Sequence, residues 1–377
     1  MHLSITNKIF LELLKVGLWG DLKFKVEGLK FKDFQSLDWD EVYHLAQEQA
    51  VQGLVLQGIE AVHESWLKVH GSSLISQMLL LQWIGEVQML EQQNKAMNQF
   101  IAELIEKLRK ADIYALLVKG QGVAQCFERP LWRSCGDVDL LLSDSNYERA
   151  KEYLIPLADH VDSEDKEKKH LGMRIGNWIV ELHGTMHTEI SRRVNKGIDN
   201  VQDDLFFRGN VRSWNNSGTT VFLPSPDNDV ILVFTHILEH FFVEGVGLKQ
   251  VCDWCRLLWS YRSVLDLQLL ESRIRKMGLM TEWKAFGALA VNALGMPREA
   301  MPMYDSRFNV KGDWVLERIL KSGNMGHNKD LSYRVKYTGI KYKMVSLWRR
   351  LKDFAGFIKI FPIDAPRFFL NYVTRKV

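Results

Sequence analysis

Disulfides, membrane spans and the commonest nucleotide loops are all missing from this chain. Four cysteines among 377 residues (Cys126, Cys135, Cys252 and Cys255) do not make a disulfide framework, so a reducing, cytoplasmic setting is expected. No uninterrupted apolar stretch approaches the roughly 18 residues that would span a bilayer. No secretory leader is expected, because Met1 to Gly20 lacks a basic start followed by an apolar run and a small-residue cleavage site. Internal repeats and low-complexity segments are absent, and neither GxxxxGK[ST] nor GxGxxG occurs. Cys252 and Cys255 have CxxC spacing, but no second CxxC follows. The surrounding "LKQVCDWCRLLW" reads as helix, so packing is a better account of them than zinc or redox chemistry.

What is present is ordinary in bulk and uneven in detail. The hydrophobic fraction of 46% and the charged fraction of 25% suit a folded chain of two or three cooperating units. The net charge of +3 conceals an asymmetry: Gly326 to Val377 carries 12 Lys and Arg against 3 Asp, leaving the preceding residues mildly acidic. Apolar residues at Met344, Leu347, Trp348, Leu351, Phe354, Ala355 and Ile358 form a helical stripe, with Lys343, Arg349, Arg350, Lys352 and Lys359 around it. Such a helix packs on its own domain or lies on a membrane surface, and its interleaved aromatics also suit an acceptor or a nucleic acid. No sequence-specific nucleic-acid motif accompanies it.

Periodicity divides the rest. Ser73 to Lys110 repeats apolar residues at three- and four-residue steps and predicts a long amphipathic helix, broken near Gly85. "YALLVKG" (Tyr114 to Gly120) and "DVDLLL" (Asp137 to Leu142) read as buried strands, with a helix from Gln121 to Phe127 between them and another over Asn146 to Leu157. "GMRIG" and "NWIVELHG" read as strands about a Gly176-Asn177 turn, and "GTTVFLP" (Gly218 to Pro224) as a last strand. Ser225 or Asp227 then caps a helix running to Phe242. "DSEDKEKKH" (Asp162 to His170) is a solvated loop by composition. The fold class expected is α+β: a small mixed sheet flanked by helices. The expected units are an N-terminal helical region (1–110), an α/β core (111–225), a helical domain completing a cleft (226–325) and a basic helical tail (326–377).

Chemistry concentrates in that core. Strand side chains alternate, so Asp137 and Asp139 share a face while Val138 enters the core. Two carboxylates at the head of an aliphatic strand suggest a divalent metal; the bland alternative is a turn residue followed by a solvent-facing one. Glu181 and His183 likewise share a face, opposite Val180 and Leu182. Were the two strands neighbours, three carboxylates would converge, a hard oxygen set suited to one or two Mg²⁺ ions. Lys119 and Gly120 stand at a strand-to-helix turn where backbone N–H groups and a cation can meet phosphate, with Arg133 and Gly136 close to the aspartates in sequence. His236 and His240 are four residues apart on one otherwise apolar helix. They read as packed, hydrogen-bonded histidines, or as substrate-pocket residues together with Asp253, while His183 suits a supporting place beside Glu181.

"LLVKG", "RSCGDVDLLL", "VELHG", "PSPDNDVILVFTHILEH" and "GLKQVCDWCRLL" follow one another in an order that resembles the nucleotidyltransferase superfamily typified by DNA polymerase beta. The likeness is closest to its bacterial branch of uncharacterised nucleotidyltransferases and spans residues 112 to 260. The superfamily's Gly-Ser turn is replaced by Lys119-Gly120, farther from the aspartates. The resemblance implies that Asp137, Asp139 and Glu181 hold Mg²⁺, with Glu181 able to take the acceptor's proton. A nucleoside monophosphate would pass from an NTP to a hydroxyl or amine with release of pyrophosphate. The alternatives are a chain that keeps the fold and only binds, and a peripheral membrane partner.

Overall fold

A computed structural model of the protein describes residues 3–20, 37–70, 73–326, 328, 339–363 and 365–370. Three helices open the chain: α1 (Ile5–Trp19), α2 (Trp39–Glu48) and α3 (Gln52–His70). The next, α4, runs unbroken over Gln77–Lys110. The break expected near Gly85 does not occur. Nothing lies within 4 Å of the place a Cβ would take there, so that glycine costs only about 1 kcal/mol of helix propensity. Ser76 caps the start by accepting from the Leu79 N–H, and Lys107, Arg109 and Lys110 suit the negative end of the helix dipole.

The sheet has seven strands: β1 (Ala115–Val118), β2 (Asp137–Leu142), β3 (His160–Val161), β4 (His170–Ile175), β5 (Trp178–His183), β6 (Val211–Asn216) and β7 (Thr219–Pro224). Their order is β3-β4-β5-β2-β1-β7-β6. β2 pairs with β5 and β1 with β7 in parallel, and the other pairs are antiparallel. The sheet is therefore mixed, as expected. The Gly176-Asn177 hairpin is where the sequence places it, with Gly176 at φ +58°. β6 was not foreseen; its "VRSWNN" is polar enough for a sheet edge, and positive φ at Ser217 and Gly218 turns it into β7.

Between β1 and β2 the expected helix shrinks to α5 (Gly120–Ala124), and after β2 comes α6 (Asp144–Leu154). The remaining helices are α7 (Arg192–Phe206), α8 (Pro226–Val243), α9 (Leu248–Tyr261), α10 (Leu267–Met277), α11 (Met280–Asn292), α12 (Asn309–Ser322) and α13 (Gly339–Ile360). α8 opens as expected, with Ser225 at its N-cap and Pro226 in the first turn.

Two apolar cores hold the sheet in place. One contains Met97, Ile101, Leu104 and Leu108 of α4 against Val138, Leu140, Val180 and Leu182 of the sheet. The other joins the N-terminal helices to α8 and α9 and all that follows, through Leu14, Trp83, Phe234, Trp254 and Trp283. α4 enters both, with Leu79, Trp83 and Val87 in one and its second half in the other. Cys252 and Cys255 are buried free thiols inside α9, as packing residues are. In the tail, Phe357, Phe361 and Phe368 are buried and stack about Phe241 and Phe242, while Met344 and Trp348 stay exposed. The side chains of Lys343, Leu347, Arg349, Arg350, Leu351 and Lys352 lie outside the described residues. No helix among the described residues is long and apolar enough to cross a membrane.

Candidate active site

The parallel pairing of β2 with β5 sets Asp139 beside Glu181, and antiparallel pairing with β1 sets Val118 on its other side. Lys119 follows Val118 at the strand end. Its φ of +55° lies in the left-handed region, a conformation that costs a residue with a Cβ about 1 kcal/mol or more. There its ammonium lies 2.8 Å from Asp139 Oδ1, and on the other side His183 Nε2 lies 2.9 Å from the same oxygen. Asp139 is thus only 2% exposed, with a cation and an imidazole as partners rather than solvent. Burial works to raise its pKa, but Lys119 and the His183 hydrogen bond outweigh it and hold the carboxyl below the usual range.

Glu181 is half-buried. His170 Nε2 lies 3.2 Å and His183 Nε2 3.5 Å from its Oε2, and the two imidazoles stack with centroids 4.7 Å apart. Burial opposes ionisation of Glu181, yet hydrogen bonds from both imidazoles and the charge of Lys119 keep its carboxyl far below the ordinary value. Burial alone would discharge His183; its hydrogen bonds to Asp139 and Glu181 reverse that and favour the imidazolium. Nε2 then bears the proton that points at the carboxylates.

Asp137 stands apart from this set. Its carboxyl is pushed up, first by the Asp139 charge on the same strand face and then by burial. Among the described residues no ion-pair partner holds it within 4.0 Å. Residual repulsion between neighbouring carboxylates is what a divalent cation relieves, so Asp137, Asp139 and Glu181 suit Mg²⁺ in charge and donor type.

Arg133 has a different occupation from the one expected. Its side chain is 4% exposed, with Nε and Nη2 each donating over 2.7 Å to the two carboxylate oxygens of Asp253 on α9. Nη1 donates to the Ser134 carbonyl, and Asn94 holds the Leu131 and Arg133 carbonyls. The guanidinium therefore pins the loop before β2 to α9. Gly120, at φ +41°, is packed so closely that a Cβ would lie 3.3 Å from Cys135 Sγ, whereas Gly136 is exposed with open space around it.

The wall of a cavity of about 320 Å³ includes Lys119, Glu181 and His183 together with His236 and His240 from α8. Asp137, Arg133 and Asp253 are not part of that wall. The His236 and His240 rings meet edge to face at 4.3 Å. Burial, followed by the charge of Lys119, keeps His236 neutral by pushing its pKa well below 6.5.

Three residues here escaped the sequence reading. Composition puts His170 in a loop, yet counting back from the Gly176-Asn177 turn pairs it with His183 across the hairpin. Lys168, also expected to be solvated, reaches Glu239 at 2.9 Å and Glu189 at 3.7 Å on the cavity rim. Lys249, in the first turn of α9, has its Nζ 3.4 Å from the Ser134 carbonyl. Burial, then Arg133, lowers its pKa, and Asp253 and Asp137 pull the other way. No local signal marks Lys168 or Lys249; only packing brings them in.

The α+β fold thus aligns acids on adjacent strands, with Lys119 beside them. The model of the family described as uncharacterised nucleotidyltransferase matches residues 35–295, and the chain belongs to that family. Among solved structures it is similar to an antigenic nucleotidyltransferase-like protein from Paracoccidioides brasiliensis, at 15% identity and a TM-score of 0.30. That match covers 53% of this chain and 92% of the other. No curated protein matches the chain.

Proposed function

We propose that the protein transfers a nucleoside monophosphate from an NTP to a hydroxyl or amine of an acceptor held in the 320 Å³ cavity, and releases pyrophosphate. The observation that carries this is the β2–β5 register, which aligns Asp139 with Glu181 while Lys119 reaches Asp139 from β1. Mg²⁺ would be held by Asp137 and Asp139 with Glu181, and would supply charge neutralisation for the triphosphate. Lys119 and Lys249 flank those carboxylates from opposite elements and bind phosphate oxygens. Arg133 and Asp253 keep the loop and α9 in register so that both lysines stay in place.

In the transfer, the acceptor oxygen or nitrogen forms a bond to the α-phosphorus as the bond to the bridging oxygen breaks. The acceptor's proton passes to solvent, because Glu181 and His183 already share one, and the electron pair of the broken bond leaves with pyrophosphate. Most of the catalysis is positioning and charge, which fixed strands provide.

One observation favours a second reading. Asp139 already has Lys119 at 2.8 Å and His183 at 2.9 Å, a neutralised state that serves a protein which only binds nucleotide. Nucleotide titration with and without Mg²⁺, followed by pyrophosphate release over an acceptor panel, separates the two. The transferase reading expects Mg²⁺-dependent NTP binding and pyrophosphate release, both lost in Asp137→Ala/Asp139→Ala. Binding without release, with or without Mg²⁺, supports the second reading, and absence of NTP binding overturns both.

A further inference from the structure

Beside the aspartates, the same face of the sheet carries a second donor set of different chemistry. His170 and His183 are directly paired across β4 and β5, and Glu181 lies two residues before His183 on the same face. One ligand atom from each of the three residues falls within 4.8 Å of the other two. Glu181 Oε2 sits 3.2 Å from His170 Nε2 and 3.5 Å from His183 Nε2. Around an ion with bonds of about 2.1 Å, neighbouring ligands lie about 3.4 Å apart in a tetrahedron and about 3.0 Å apart in an octahedron. Those two separations are therefore already edges of a coordination polyhedron. Backbone pairing sets them, because the hairpin register is locked by its two-residue turn.

We propose that His170, Glu181 and His183 bind a borderline divalent ion of the Zn²⁺ or Mn²⁺ kind, resident in the protein before nucleotide arrives. Two imidazole nitrogens and one carboxylate oxygen select such ions, whereas Mg²⁺ prefers oxygen ligands and retains its waters. The three ligands all line the cavity, which leaves the remaining coordination positions open to an acceptor atom or water. Loading replaces the Nε2 protons of His170 and His183, which are released to solvent; the His183 hydrogen bond to Asp139 is lost and Asp139 keeps Lys119 as its partner. The division of labour rests on the nucleotidyltransferase reading: Mg²⁺ enters with the triphosphate at Asp137, Asp139 and the second oxygen of Glu181, while the resident ion, held through Glu181 Oε2, faces the acceptor. The site itself stands on the strand register alone.

The test uses the full chain without nucleotide. Equilibrium dialysis against Zn²⁺ measures uptake in the presence of excess Mg²⁺, and Co²⁺ substitution gives a visible spectrum sensitive to imidazole ligands. His170 is half-exposed, so His170→Ala is compatible with folding; circular dichroism checks this and the same check applies to His183→Ala. The expected result is one tightly held Zn²⁺ per chain, resistant to Mg²⁺. Each variant should weaken it by about tenfold or more, with loss of the Co²⁺ spectrum. His160→Ala serves as the control, since His160 is exposed and pairs with Asp162, and it should bind as the parent does. Absence of stoichiometric uptake, displacement by Mg²⁺, or uptake indifferent to His170→Ala would each overturn the proposal. Uptake without pyrophosphate release on any acceptor supports the metal site and removes the transfer reading; release without uptake does the reverse.

Discussion

Replacing Arg133 by Met tests whether this guanidinium belongs to the framework or to the nucleotide. The Arg133 and Asp253 side chains are 4% and 7% exposed, and two hydrogen bonds of 2.7 Å join them. With charge centres about 4 Å apart and an effective dielectric near 20, their attraction is about 4 kcal/mol. Removing one partner of a buried pair costs about 3–5 kcal/mol, because the other charge is left without compensation. Lys249 feels the Asp253 charge and offsets part of that loss, which places the expected cost of Arg133→Met at about 3 kcal/mol. Arg133→Met/Asp253→Leu removes both partners, leaves Lys249 with the Asp137 charge, and should recover part of it. Urea unfolding gives the stabilities, and titration of the folded variants with an NTP gives the affinities. On the framework account the affinity changes by about threefold or less. A stability loss below about 1 kcal/mol together with a loss of affinity above about tenfold would refute this account and return Arg133 to the phosphates.

Two further outcomes follow from the same geometry. Lys249→Ala should weaken NTP binding by about tenfold while leaving the unfolding midpoint nearly unchanged, since the buried ammonium stabilises little by itself; fluorescence titration with a labelled NTP checks this. His236 is held neutral in the folded protein, so below about pH 6.5 the unfolded chain takes up a proton that the native state refuses. Stability therefore falls with decreasing pH, by up to about 1.4 kcal/mol per unit from this one group. His183 acts in the opposite sense, its contribution being present at low pH and lost as pH rises through its elevated pKa. Comparing His236→Gln with the parent between pH 5 and 7 cancels the His183 contribution (range chosen about the ordinary histidine value). The variant should show the flatter acid limb, and identical limbs would contradict the burial argument.

The strands were legible because their aliphatic runs are short and bounded by Gly, Asp and Pro. Alternation within them placed Asp137, Asp139, Glu181 and His183 on their faces before any pairing was known. The expected break at Gly85 failed for a local reason: a missing side chain in open space weakens a helix without ending it. α5 is a single buried turn, too short for a helical period in the sequence to set its length. β6 went unseen because an edge strand has only one paired side and carries polar residues there.

By itself, the sequence determined the α+β class, the carboxylates at the strand heads and the hairpin about Gly176-Asn177, since those depend on periods of two and on a turn needing positive φ. Only the tertiary structure decided that β2 and β5 lie side by side, because strand neighbours far apart in sequence are chosen by core packing. The same packing, rather than any motif, engaged Arg133 with Asp253 and delivered Lys249 to the aspartates. It also set His170 and His183 over Glu181 at the spacing of metal ligands.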